Sequence, residues 1–141
     1  DNFININANK GKPDCINWVD YGKFNALVRL INYTNRLKHS NGREIRKKDI
    51  MKELGFDKSR SYDNFISRLK KSKMIVKTDV GDDKFIIVNP AYAMKNMKLD
   101  LTTYNYFKED LDELLTELEI KYLQLLAEDG NINHMIKVIT T

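Results

Sequence analysis

The sequence predicts an α+β fold, mostly helical with a small β-wing, and closed by one long helix. Three observations carry this. Apolar residues recur at three- and four-residue spacing through 21–38, 47–54, 59–73 and 107–129. Two short β-rich runs, 75–80 and 84–89, flank Gly81-Asp82-Asp83, which suits a hairpin turn. The 141 residues are 42% hydrophobic and 31% charged, enough apolar material for one core and too much for a disordered chain.

Each element has its own signal. Residues 1–19 form an N-terminal segment whose first fourteen residues are rich in Asn and Lys. Within it, Phe3-Ile4-Asn5-Ile6 alternates apolar and polar, as in a short strand or a loosely tied arm. A first helix is expected over 21–38, with Phe24, Leu27, Val28, Ile31 and Leu37 inward and Asp20 as its N-cap. Trp18 and Tyr21 precede it and suit packing over it or a dimer contact. Ser40-Asn41-Gly42 would end it, and residues 43–46 leave room only for a small strand. A short second helix over 47–54 buries Ile50, Met51 and Leu54, and Gly55 stops it. After the turn Phe56-Asp57-Lys58-Ser59 comes a third helix, 59–73. Its stripe is Tyr62, Phe65, Ile66 and Leu69.

Asn89-Pro90 closes the hairpin, because proline lacks the amide a ladder needs. Residues 91–101 read as a linker with helical character. In 107–129, Leu111, Leu115, Leu118, Tyr122 and Leu125 step 4-3-4-3, while Leu114, Leu123 and Leu126 widen the apolar face. Such a helix covers the core, pairs with its copy in a homodimer, or does both. Gly130 ends it, and 134–139 is a short strand or docking segment. The boundaries are an arm at 1–19, a compact domain at 20–98 and an acidic C-terminal helix at 99–141.

Charge divides along the same lines. Residues 1–98 hold 21 Lys/Arg against 11 Asp/Glu, and 99–141 hold 3 against 9, so net charges of +10 and −6 hide inside the total of +4. Between 36 and 77 the balance is 14 to 5, or +9 over 42 residues. A basic module that meets a polyanion, and an acidic segment kept away from it, account for this split.

The order helix, short strand, helix, tight turn, helix, hairpin is that of a winged helix-turn-helix. Opposite the third helix's apolar stripe lie Arg60, Asn64, Ser67, Arg68 and Lys71. Arg pairs bidentately with guanine and Asn with adenine in the major groove, so Arg60, Asn64, Ser67 and Arg68 are the expected base readers. Arg43, Arg46, Lys47, Lys48, Lys58, Ser59, Lys70 and Lys71 are the expected phosphate contacts. Lys77 and Lys84 at the hairpin strands would reach the backbone, though the acidic tip Asp82-Asp83 weakens that contact.

The segment Lys48-Asp49-Ile50-Met51-Lys52-Glu53-Leu54-Gly55-Phe56, with 59–69 and Met74-Ile75-Val76-Lys77, resembles the winged-helix core of MarR-like regulators. Phe85-Ile86-Ile87-Val88-Asn89-Pro90 is similar to the wing strand of the replication-protein family of Firmicute plasmids, which also ends in Asn-Pro. The likeness spans about residues 20–98 and implies binding of duplex DNA and, less directly, a mobile-element setting.

Other chemistries find little support. Cys15 is the only cysteine, and His39 and His134 are the only histidines, so neither a cysteine zinc site nor a thiol–imidazole pair with an orienting group can be read. No GxxxxGK[ST] loop occurs. Tyr104 and Tyr106 have no paired-histidine metal motif beside them, as a nicking tyrosine would. Glu109, Asp110, Asp112, Glu113, Glu117 and Glu119 read as a solvated helix face. No apolar run nears the roughly 20 residues that span a bilayer, and no leader segment is visible. The chain opens on Asp1, not Met, as a fragment or processed form would.

The expectation is a cytoplasmic, non-enzymatic binder of duplex DNA with no cofactor, metal or small-molecule effector. It would act as a transcriptional regulator or a plasmid or phage replication initiator, and as a homodimer. The alternative is a winged helix that binds protein and not DNA.

Overall fold

The structure, a computed structural model, describes residues 4–6, 10–32, 35–39, 43–78, 85–95, 98–113, 115, 117, 118, 120, 121, 125 and 135–137. It is a mixture of helices and small antiparallel sheets. After β1 (Ile4–Ile6), a strand where a short strand or a loosely tied arm was expected, comes α1 (Trp18–Val28). The helix starts three residues earlier than expected. Asn17, not Asp20, is its N-cap, its side-chain oxygen accepting from the Asp20 amide at 2.8 Å. Asp20 is thereby carried into the first turn, where it is buried.

The helix also ends sooner, at Val28 and not near 38. The Asx-rich stretch that follows turns the chain. The Asn32 side chain accepts from the Arg36 amide at 3.1 Å, and Asn35 adopts φ +60°, a conformation asparagine tolerates well. Leu37 is therefore buried from an extended segment, not a helix. Its amide donates to the Ile86 carbonyl at 2.9 Å, and Arg36 bridges Ile87. Lys38 bridges Glu44 just beyond, where a small strand was expected. Ser40, Asn41 and Gly42 lie outside the described residues.

Two helices then follow as read from the sequence, α2 (Lys47–Leu54) and α3 (Ser59–Lys71), the latter two residues shorter than expected. Gly55 between them has φ +77°, the left-handed conformation that costs an L-residue about 1–2 kcal/mol. The Phe56 ring plugs the turn, 5.3 Å from Phe65 and 5.8 Å from Tyr62 between centroids. Lys23 of α1 reaches over that ring and donates to the Leu54 carbonyl at 2.7 Å, satisfying an end of α2.

Next, β2 (Ile75–Lys77) and β3 (Ile86–Val88) pair antiparallel in the register Ile75↔Val88 and Lys77↔Ile86. Both are shorter than expected, and residues 79–84, with Lys84 and the acidic tip, fall outside the described residues. The expected helical linker at 91–101 is extended: β4 (Ala93–Lys95) pairs with β1, and β5 (Lys98–Asp100) begins another ladder. A separate helix, α4 (Leu101–Tyr106), precedes the expected long helix, and Phe107, at φ −122° and ψ 29°, is the N-cap of α5 (Lys108–Asp112). The expected helix over 107–129 is interrupted after α5, with Glu113 in a turn and Leu115 in a bend. β6 (Met135–Lys137), within the expected strand or docking segment, pairs with β5. Gly130 lies outside the described residues.

Alternation along β3 sorts the core into two layers. Ile86 and Val88 join α1, α2 and α3 in the main cluster, around Phe24, Leu27, Phe65 and Leu69. Ile87 points the other way, into a cluster of Met94, Tyr104, Phe107, Leu111 and Leu115. Each fully buried side chain of this size contributes about 1.5–3 kcal/mol over leaving it in water. The first part of the C-terminal region thus covers the back of the sheet.

Candidate nucleic-acid interface

Four buried residues of α3 (Tyr62, Phe65, Ile66 and Leu69) fix its rotation. At about 100° per residue, Arg60, Asn64, Ser67 and Lys71 stand directly opposite, and all four are exposed. None makes a side-chain hydrogen bond or ion pair among the described residues. They form one uncommitted row of donors and acceptors.

Arg68 departs from the expected base-reading set. It lies on the α1 flank of the helix, and its Nε and Nη2 donate to the two carboxylate oxygens of Asp20 at 2.7 and 3.0 Å. Asp20's side chain is only 6% exposed, against 45% for Arg68. A buried carboxylate needs such a partner, so Arg68 ties α3 to α1. The pairing keeps the guanidinium charged to still higher pH than usual.

The opposite flank faces the sheet. Here a groove of about 480 Å³ runs between α3, the start of α2 and β2–β3. Asp63, Ser67 and Lys70 line its α3 wall, Glu44 and Lys47 the α2 side and Lys77 the β2 wall, over Ile45, Ile66 and Phe85. Lys47 donates to Ser59 Oγ at 2.7 Å and pairs with Asp63 at 2.9 Å. Tyr62 lies beneath, its phenol pushed up to about 12 chiefly by burial and further by Asp63. Lys38 and Arg36 lie over the Phe85 ring at 4.3 and 5.4 Å. Arg43, Arg46, Lys48 and Lys58 are exposed around the starts of α2 and α3, neither of which has a side-chain N-cap bond. Of the expected phosphate contacts, Lys47 and Ser59 are thus bonded to each other.

Two further groupings escaped the sequence reading. Asn89 is fully buried. Its amide donates to the Lys73 carbonyl at 2.9 Å and to Asp110 at 2.8 Å, and its oxygen accepts from the Ala91 amide at 2.9 Å. Asp110 also pairs with Lys10 at 3.0 Å, and Tyr104 donates to Asp112 at 2.5 Å. The acidic region is therefore not simply a solvated face. Burial, with Asp112 beside it, raises the Tyr104 phenol to about 12.

The expected dimer seam is divided. Leu111 and Leu115 are consumed in the second cluster, Leu118 and Leu125 are exposed, and Tyr122 lies outside the described residues. Trp18 and Tyr21, expected to precede the first helix, lie within α1: Trp18 is 75% exposed, with Lys12 over its ring at 5.1 Å and its ring edge-on to that of Tyr21, which packs against the main cluster. Among the described residues no group of His, Cys, Asp and Glu could hold a metal ion, and no helix is long and apolar enough to cross a membrane. No family model, curated protein or solved structure matches the chain.

Proposed function

We propose that this chain is a winged helix-turn-helix protein that binds duplex DNA with sequence preference, presenting α3 to the major groove and the β2–β3 hairpin as its wing. The observation that carries the reading is the row Arg60, Asn64, Ser67 and Lys71. It is exposed, free of internal partners among the described residues, and set opposite a fully apolar stripe. A helix kept merely soluble would more often spend such a face on intrahelical Glu–Lys pairs. Support also comes from the element order and from the lysines flanking α3. Bidentate Arg and Asn contacts would read bases, and the surrounding cations would fix register on the backbone.

A transcriptional regulator and a plasmid or phage replication initiator both require this activity. One α3 spans a short site, so a two-fold pair of chains reading an inverted repeat fits the same proposal.

Retention of random duplexes on the protein, followed by sequencing, tests it. An enriched motif is expected, and an inverted repeat would report the dimer. The double variant Arg60→Ala/Asn64→Ala should lose about 1–3 kcal/mol of specific binding per residue and keep its melting temperature. A folded protein that selects no motif and holds no duplex at low salt overturns the proposal in favour of a protein-binding module.

A further inference from the structure

We propose that Asp63 competes with a DNA backbone phosphate for Lys47, so that the protein's own carboxylate fills a phosphate seat in the groove beside α3 until duplex displaces it. The inference rests on the DNA-binding reading above.

Asp63 is the only acidic residue in α3, and it lies on the wall of the groove, beside the outward row. It is committed to one partner: its Oδ1 is 2.9 Å from Lys47 Nζ, which also donates to Ser59 Oγ at 2.7 Å. Both charged side chains remain accessible, 59% and 48% exposed, so the pair is weakly held and open to exchange. The other groove lysines, Lys70 on α3 and Lys77 on β2, form no ion pair among the described residues. Between them the floor is apolar, with Ile45, Ile66 and Phe85, and Glu44, ahead of α2, is the one other carboxylate in the lining. Cations on two walls over an apolar floor suit a sugar–phosphate strand, and the cation nearest the start of α2 is already neutralised from within.

A phosphate entering the groove presents the same kind of oxygen anion to Lys47 as Asp63 does. Binding therefore exchanges one ion pair for another and leaves Asp63 unpaired near the strand. Asp63 lowers affinity for every duplex alike.

The test measures duplex affinity across a salt series for the wild type, Asp63→Asn, Lys47→Gln and the double variant. Asp63→Asn should bind about two- to fivefold more tightly at low salt, on any sequence. The slope of log K against log salt should steepen by up to about one. Lys47→Gln should weaken binding and flatten the slope by about one. In the Lys47→Gln background, the gain from Asp63→Asn should be largely lost. An equal gain in both backgrounds would mean that Asp63 acts only through the general field, and weaker binding by Asp63→Asn would mean that it positions Lys47 or reads a base. Either result overturns the proposal while the DNA-binding reading stands. Absence of binding by the folded wild type removes both.

Discussion

Replacing Arg68 with alanine separates a structural from a base-reading role at this position. The substitution strands a carboxylate, that of Asp20, whose side chain is 6% exposed and which accepts from both Nε and Nη2 of Arg68. Breaking a fully buried pair costs about 3–5 kcal/mol, while an exposed pair is worth at most about 1 kcal/mol. Arg68 is 45% exposed, so the pair lies between these limits. Arg68→Ala should therefore cost about 1–3 kcal/mol, on the order of 3–12 °C in melting temperature for a chain of this size. Arg68→Lys should recover only part of the loss, because an ammonium cannot meet both oxygens as the guanidinium fork does. In a cycle with Asp20→Ala, the coupling energy should be about 1–2 kcal/mol. The assay is thermal and urea unfolding of the wild type, the three single variants and the double variant, alongside the DNA motif each selects. An Arg68→Ala protein with unchanged stability and relaxed preference at one base position would refute the reasoning and return Arg68 to the base-reading set.

Two other outcomes follow from the buried polar groups. Asn89→Ala leaves the Lys73 carbonyl, the Ala91 amide and the Asp110 carboxylate short of a partner at once. A loss of about 2–4 kcal/mol by urea unfolding is expected, and an effect under about 0.5 kcal/mol would contradict the hub. Tyr62 ionises near pH 10 in an unfolded chain and near 12 in the folded one. Its contribution is therefore complete below about pH 10 and is lost as pH rises toward 12, at up to about 1.4 kcal/mol per pH unit. Melting temperature measured between pH 9 and about pH 12 should fall less steeply for Tyr62→Phe than for the wild type, while Tyr104 continues to contribute in both proteins. Parallel curves would show that the Tyr62 phenol is not held neutral by the fold.

The parts of this fold legible in the sequence are those whose information is local. The stripe Tyr62, Phe65, Ile66 and Leu69 both defines α3 and orients it, and Gly55 marks the end of α2 because few residues tolerate its φ. Where two local signals compete, the wrong one can be chosen. Asn17 and Asp20 are both good N-caps, and the choice fell to Asn17 because Asp20 has a distant partner. That partner is 48 residues away and leaves no trace in any spacing. Leu37 shows a related limit. It continues a helical period by coincidence, and its burial comes from hydrogen bonds to β3. The leucines of the C-terminal region were legible as apolar, but periodicity cannot say whether an apolar face meets its own chain or another. Leu111 and Leu115 meet their own.

The acidic segment bears on which end of α3 would lead onto DNA. Two of its carboxylates are held by specific partners, Asp110 by Asn89 and Lys10 and Asp112 by Tyr104, and Glu109 and Asp110 border Lys70 and Lys73 at the end of α3. Glu109 lies 3.5 Å from Lys73, just past the C-terminal end of α3, where the helix's own dipole is negative. Arg68, Lys70 and Lys71 occupy the last turn and offset that dipole, and Arg68 is also spent on Asp20. The first turn carries no acid and no side-chain cap, and the one carboxylate near it, Asp63 in the next turn, is paired with Lys47. Attraction for phosphate is therefore least compromised at the start of α3, beside Lys58 and Arg60. A duplex meeting this field would be drawn to the N-terminal half of the helix, which places Arg60 and Asn64 against base edges ahead of Ser67 and Lys71. On the proposed reading, sequence preference should accordingly depend more on Arg60 and Asn64 than on any residue later in the helix.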